Sequence, residues 1–471
     1  MAEDNTPRRL SRDMRSALIA GVKKAASSPS GLLGGMLSGG RKKAPSFEDL
    51  PGFEAIRLQQ SLAGKIGIPV PFYRLHEARA GTETVIGGRP AVNFTSYDYL
   101  GLNGHPRIVE AVSQAAAQWG TSVSASRLTS GERSVHRQLE GELASLYGAE
   151  DALLFVSGHA TNVTTIGTMM GEGDLIIHDS LSHNSIVVGA QLSGAHRVNF
   201  PHNDIEALDR LLGQLRGQFR HCLIVTEGLF SMDGDGPDLA RLVEVKNRHT
   251  AWLMVDEAHS LGVLGKTGRG LFEHAGVDPR EVDIWMGTLS KTLVSCGGYI
   301  AGPRSLIDFL KYRAPGMVYS VGIPATATMA SLTALDLMLA EPERAASLQA
   351  NGGYFLNKAR GAGLDVGESW GLAVTPVVLG DSLQTVMLSE RLMERGYATV
   401  PVLPPGVPEK AARIRFFISS GHTQAQIDGV IDTLVAEKKA LARSGVTLAS
   451  IAKNTILQRL QAVPQHDRCH R

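Results

Sequence analysis

The sequence predicts an α/β protein: one large, doubly wound, mostly parallel sheet with a smaller C-terminal α+β domain. Short apolar runs near residues 153, 175, 223, 253, 284 and 298 are strand-sized and separated by helix-period stretches, which is the alternation of βα units. The runs are apolar throughout rather than alternating, as strands covered on both faces are. They end on polar or glycine-rich residues, at the carboxyl edge where open α/β sheets bind ligands. Beyond about residue 345 the texture changes to helix, strand, strand and helix, which defines the second domain.

At 471 residues the chain has room for two to three domains, and 43% hydrophobic residues is ordinary for a globular protein. A formal net charge of +1 creates no global field for nucleic acid or anionic membrane. Cys222, Cys296 and Cys469 are odd in number and scattered, which argues against a disulfide framework and for a reducing, cytoplasmic setting. No apolar run reaches the length of a membrane span.

Residues 1–45 are basic and rich in Ser and Gly, a disordered leader or a docking arm for a larger assembly. Residues 46–100 read as a helix and strand segment, 101–340 as the large domain, 341–442 as the small domain and 443–471 as a tail. Within this frame a helix is predicted over 47–64 and a short strand over 92–95, followed by the polar and aromatic cluster Ser96, Tyr97, Asp98 and Tyr99. Helices follow over 106–120 and 135–147, separated by the hydroxyl-rich stretch TSVSASRLTSGERS, a polar loop of a length that usually serves function.

DALLFVSGHATN reads as a strand, a Gly turn and a helix start, so Gly158 and His159 are candidates for a backbone anion cup, with a tight packing turn as the alternative. Two further strand ends present Asp179, Ser182 and His183, then Glu227 and Ser231. The histidine spacings fit no zinc signature, and no metal is expected. SCGGYIAG suggests a strand that reverses direction. In ARIRFFISS, Arg413 and Arg415 are one residue apart and share a face, either as a carboxylate clamp or as charge on an edge strand.

The chemistry centres on LMVDEAHS (253–260) and TLSKT (288–292), two strand ends one βαβ step apart. Pyridoxal 5'-phosphate needs what they offer. Its aldehyde is held by a lysine as a Schiff base, its ring nitrogen by a carboxylate, and its phosphate by hydroxyls and backbone N–H groups. Lys291, Asp256, and Thr288 with Ser290 are assigned to those roles. SLGVLGKT (260–267) imitates a nucleotide-binding loop with Ser260 in the first glycine's place. It begins at the end of the very strand that would have to supply the magnesium carboxylate, whereas such enzymes use two strands.

From about residue 93 to 441 the motifs NFTSYDYLGL, LFVSGHATN, DSLSHNS, VTEGLFSMDGD, LMVDEAHSLGVLGKTGRG, GTLSKT and RIRFFISSGHT resemble the α-oxoamine synthase family of fold-type I pyridoxal-phosphate enzymes. The resemblance implies that Lys291 forms the Schiff base, Asp256 partners the ring nitrogen and His259 the ring hydroxyl. His183 would stack on the cofactor, and Gly158, His159, Thr288 and Ser290 would hold its phosphate. Glu227 and Ser231 are counted with the cofactor site, and Tyr97 with the substrate side. Arg415 matches the family's carboxylate-binding arginine better than Arg413.

The implied reaction is a decarboxylative Claisen condensation of serine, alanine or glycine with an acyl thioester, on coenzyme A or a carrier protein, in a homodimer with shared active sites. His183 would stabilise the thioester oxygen. Val321 and Gly322 stand where relatives often show hydroxyls, which puts a phosphate contact from the second subunit in doubt. SYDYLG and SASRLTSGER look more like sphingolipid-type or polyketide-associated synthases than like the biotin-pathway enzyme. The basic leader would fit docking to an acidic carrier. An aminotransferase using a 2-oxo acid is the alternative.

Overall fold

The computed structural model describes residues 44–54, 56, 57, 60 and 70–444. The expectations for residues 1–43 and for the tail 445–471 lie outside the described residues. The chain forms two compact units, 1–63 and 64–471. In the first, Phe47–Asp49 is one 3-10 turn capped by Ser46, so the helix predicted from residue 47 does not begin there. Leu50 is extended (ψ 137°) because Pro51 follows it.

In the second unit, β1 (Glu83–Ile86) and β2 (Arg89–Asn93) form an antiparallel hairpin. Gly87 and Gly88 turn it with φ of 58° and 71°. That turn fixes where β2 begins, three residues before the strand predicted over 92–95. The 106–120 and 135–147 helices appear as Pro106–Trp119 and Ser134–Tyr147. The polar loop between them winds into a π-turn, Arg127–Gly131, whose buried arginine donates to Glu132 and Glu140 at 2.5 and 2.6 Å.

The main sheet comprises β3 (Asp151–Phe155), β4 (Leu175–Asp179), β5 (His196–Phe200), β6 (Cys222–Glu227), β7 (Trp252–Asp256), β8 (Ile284–Thr288) and β9 (Gly298–Gly302). Their order is β3-β9-β8-β7-β6-β4-β5. Only β9 runs against its neighbours, the reversal suggested by SCGGYIAG. Six of the seven strands coincide with predicted runs. β5 was missed because HRVNF is an edge strand, largely polar and mostly unburied.

Alternate residues of these strands enter two cores. One face sets Phe155, Ile176, Val225, Met254 and Met286 against Ile166 and Ile186 of the helices Gly158–Met169 and Asn184–Ser193. The other sets Leu154, Ile177, Ile224, Val255 and Trp285 against Leu139, Leu208 and Leu242. Burial on both faces is why the runs read as continuous apolar strings.

After the helices Ala325–Ala340 and Glu343–Gly361 come β10 (Val374–Gly380), β11 (Tyr397–Ala398), β12 (Val400–Val402) and β13 (Ala412–Phe417). β10, β13 and β12 make an antiparallel sheet, while β11 joins β2 in parallel. The closing helix is Gln424–Ser444. β10 and β13 are the predicted strands; β11 and β12 are too short to leave a pattern. Among the described residues no helix is long and apolar enough to cross a membrane.

Candidate active site

The carboxyl ends of β3, β4, β6, β7 and β8 converge on a cavity of about 270 Å³, which brings together Gly158, His159, His183, Glu227, Asp256, His259, Thr288, Ser290 and Lys291. Asp256 is the last residue of β7. Its Oδ1 accepts the Ala258 N–H at 2.9 Å, and its Oδ2 accepts Asn162 Nδ2–H at 2.7 Å, so the carboxylate is fixed in orientation. Lys291 follows β8 by three residues. Desolvation at the cavity pushes its amine down to about 8, against the pull of the Asp256 and Glu227 charges.

His183 caps the helix Asn184–Ser193 at the cavity rim, its Nδ1 lying 2.7 Å from Ser185 Oγ and its backbone N–H donating to Glu227 Oε1 at 2.6 Å. Desolvation lowers the His183 pKa, with Asp256 opposing. Burial pushes the Glu227 carboxyl up to about 8, and the Asp256 charge adds to the shift. His259 is buried, 2.7 Å from the Tyr99 hydroxyl through Nδ1, and its ring lies within 9° of parallel to Phe417. Burial, then the Lys291 and Arg415 charges, hold its imidazole well below the ordinary range.

At the other end, Ser157 caps the helix Gly158–Met169 and accepts from Ala160 N–H. The N–H groups of Gly158 and His159 open that helix and have no acceptor within it. Thr288 Oγ1 and Ser290 Oγ are 2.8 Å apart beside them. A Cβ on Gly158 would stand 2.8 Å from Thr288 Oγ1, so only glycine lets the helix start meet the β8 loop this closely.

Arg413 and Arg415 share a face of β13 as predicted, but their partners differ. Arg413 is buried and donates to Asp233 Oδ1 at 2.6 Å and to Met232 O at 3.0 Å. Arg415 donates to Ser231 O at 2.9 Å, approaches the Tyr97 hydroxyl at 3.4 Å and lies over the Phe417 ring. Among the described residues it has no carboxylate partner. The Tyr97 ring stands 5.7 Å from Lys291 Nζ. Ser231 does not line the cavity; its carbonyl anchors Arg415 instead.

The nucleotide-loop imitation is a turn: Ser260 Oγ donates to Glu257, Thr267 to Glu273, and Lys266 is exposed. The sequence reading did not single out Asn162 or Ser185, and it named Tyr99 only within a polar and aromatic cluster, with no role in the site. Asn162 lies one helical turn beyond Gly158 and so on its face, a spacing that would have found it. Tyr99 left no such signal, because its contact with His259 depends on the fold.

Residues 89–434 match the model of the aminotransferase class I and II family. The chain is 40% identical over 361 residues to an 8-amino-7-oxononanoate synthase of Methylococcus capsulatus, covering 77% of this chain and 92% of that protein. A putative 8-amino-7-oxononanoate synthase of Gloeobacter violaceus is 41% identical over 368 residues, with coverages of 77% and 92%. Among solved structures, a Sphingomonas wittichii serine palmitoyltransferase is 30% identical with a TM-score of 0.80, covering 84% of this chain and 99% of its own. The chain belongs to the α-oxoamine synthase family.

As an α-oxoamine synthase it is a pyridoxal 5'-phosphate-dependent acyltransferase that carries out a Claisen-type condensation of an amino acid with an acyl thioester. The cavity fits that cofactor. It holds an amine of lowered pKa, an oriented carboxylate, and a helix start with two hydroxyls at phosphate-sized spacing, while Asn162 Oδ1 is buried without a partner among the described residues. The expected leaning toward sphingolipid-type or polyketide-associated synthases meets a divided likeness: the sequence relatives carry the name of the biotin-pathway enzyme, and the structural neighbour is a serine palmitoyltransferase.

Proposed function

We propose that this synthase joins serine, alanine or glycine to an acyl thioester, on coenzyme A or a carrier protein, with loss of carbon dioxide, and releases an α-amino ketone. The observation that carries the reading is Arg415. Its guanidinium approaches the Tyr97 hydroxyl, whose ring faces Lys291, and has no carboxylate partner among the described residues, while Arg413 is committed to Asp233. A substrate carboxylate is the natural bidentate partner of such a group.

Lys291, Asp256, Thr288, Ser290 and the first N–H groups of the helix Gly158–Met169 would hold the cofactor, which when bound supplies an electron sink for the substrate's α-carbon. Arg415 grips the substrate carboxylate and so orients the α-hydrogen. With its pKa lowered to about 8 by desolvation, the Lys291 amine can take that proton under mild conditions. His183 has Nδ1 engaged by Ser185, which leaves Nε2 to donate to the thioester oxygen as it gains charge.

The test supplies acyl-CoA thioesters of several lengths with serine, alanine or glycine singly, and follows free thiol and product mass. A product with the mass of the amino acid plus the acyl group less carbon dioxide supports the reading. Amino transfer to a 2-oxo acid without thiol release would overturn it in favour of an aminotransferase.

A further inference from the structure

One side chain that this chemistry leaves unused joins the loop under Arg415 to the turn that carries His183. His202 lies just beyond β5, with Nδ1 2.9 Å from Asp179 Oδ1 and Nε2 2.9 Å from Asp235 Oδ2. Carboxylate oxygens only accept, so both ring nitrogens must donate and the ring is an imidazolium. Burial pulls its pKa down, but the bonds to Asp179 and Asp235 carry it up to about 10, and the charge persists at neutral pH.

Each carboxylate belongs to a different part of the site. Asp179 ends β4, is fully buried, and accepts the Leu181 N–H at 2.7 Å, which starts the turn to His183. Asp235 closes the loop 230–235 through the Phe230 N–H bond to its carbonyl at 2.8 Å. Ser231 of that loop receives Arg415. Asn203, held at φ 53°, bridges the same two carboxylates again: its N–H donates to Asp179 Oδ2 at 2.9 Å and its Nδ2 to Asp235 Oδ2 at 3.1 Å. The Phe230 ring stands edge-on to His202 at 4.5 Å. Without the cation, two buried carboxylates of like charge would face each other across the gap.

We propose that His202 is a positioning residue for the condensation: clamped between Asp179 and Asp235, it sets the spacing between Arg415 and His183. This rests on the reading of Arg415 as the clamp for the substrate carboxylate.

The experiment is a spectral titration of the cofactor-loaded enzyme with its amino acid, in a double-mutant cycle of His202→Gln and Arg415→Lys. His202→Gln is expected to raise the amino-acid Kd about tenfold, and less than about twofold further in the Arg415→Lys background, since both act through one contact. A role in folding alone would not produce that coupling. A His202→Gln Kd within about twofold of the parent, or effects that multiply in the double variant, overturns the inference. If His202→Gln does not fold, Asp235→Asn removes one charge with little change of shape and carries the same cycle with the same two outcomes. An Arg415→Lys variant with unchanged Kd overturns the clamp reading and this inference together. A weakened Arg415→Lys with an additive His202→Gln overturns this inference alone.

Discussion

Asn162 donates to Asp256 across 2.7 Å and to Ser185 across 2.9 Å from a single amide nitrogen, so one side chain ties the end of β7 to the helix that His183 caps. The helix that supplies Asn162 also begins at the Gly158 turn proposed to hold the phosphate, so the carboxylate is oriented by the element that would bind the anion.

Asn162→Ala would leave a buried carboxylate oxygen without its donor, a loss of about 1–3 kcal/mol. That corresponds to a cofactor Kd raised by roughly five- to 150-fold, measurable by equilibrium dialysis. An unchanged Kd would show that the Ala258 N–H suffices to hold Asp256.

Lys291 sets a pH dependence. Its amine is neutral above about 8, so uptake of pyridoxal phosphate by cofactor-free protein should rise with pH up to that point and then level off. Stopped-flow absorbance of the bound chromophore measures this, with Lys291→Ala as the variant that develops no such band. The sign for stability follows from the same depression. Between about 8 and the ordinary lysine value of about 10.4, the unfolded chain keeps a proton that the folded chain has lost, so the cofactor-free protein gains stability as pH rises across that window.

The main sheet was legible because both its faces are buried, which writes each strand as an apolar run ending where the chemistry sits. Lys291, Asp256 and Thr288 could be read from such strand ends alone. β5 and β11 could not: one is a largely polar edge and the other is two residues long. Arg413 and Arg415 were equivalent by spacing; the resemblance favoured Arg415, and in the structure Asp233 pairs with Arg413. Tyr99 and His202 act through partners distant in sequence, for which a local pattern carries no signal.

Gly158→Ala tests the phosphate end. The new Cβ would lie 2.8 Å from Thr288 Oγ1 and 3.0 Å from Thr288 Cβ, so the hydroxyl pair or the helix start must shift. Overpacking of this kind costs about 1–3 kcal/mol and should appear mainly as weaker cofactor binding. Gly141, in the helix Ser134–Tyr147, has nothing among the described residues within 4 Å of an added Cβ. Gly141→Ala should leave cofactor binding unchanged and raise the melting temperature slightly.

The two arginines of β13 should fail in different ways. Arg415→Ala removes a charge-assisted grip on the substrate, worth about 1.5–3 kcal/mol, and should raise the amino-acid KM by roughly ten- to a hundredfold with little loss of stability. Arg413→Ala instead strips Asp233 of its ion-pair partner, and breaking a buried pair costs about 3–5 kcal/mol at the upper limit. Because Asp233 is partly exposed, the loss should fall below that limit, and it should appear first as a lower melting temperature. Steady-state kinetics and thermal unfolding on both variants separate the roles. A KM effect at Arg413 with no change in melting temperature would reverse the assignment, because a structural ion pair cannot be removed without cost to the fold.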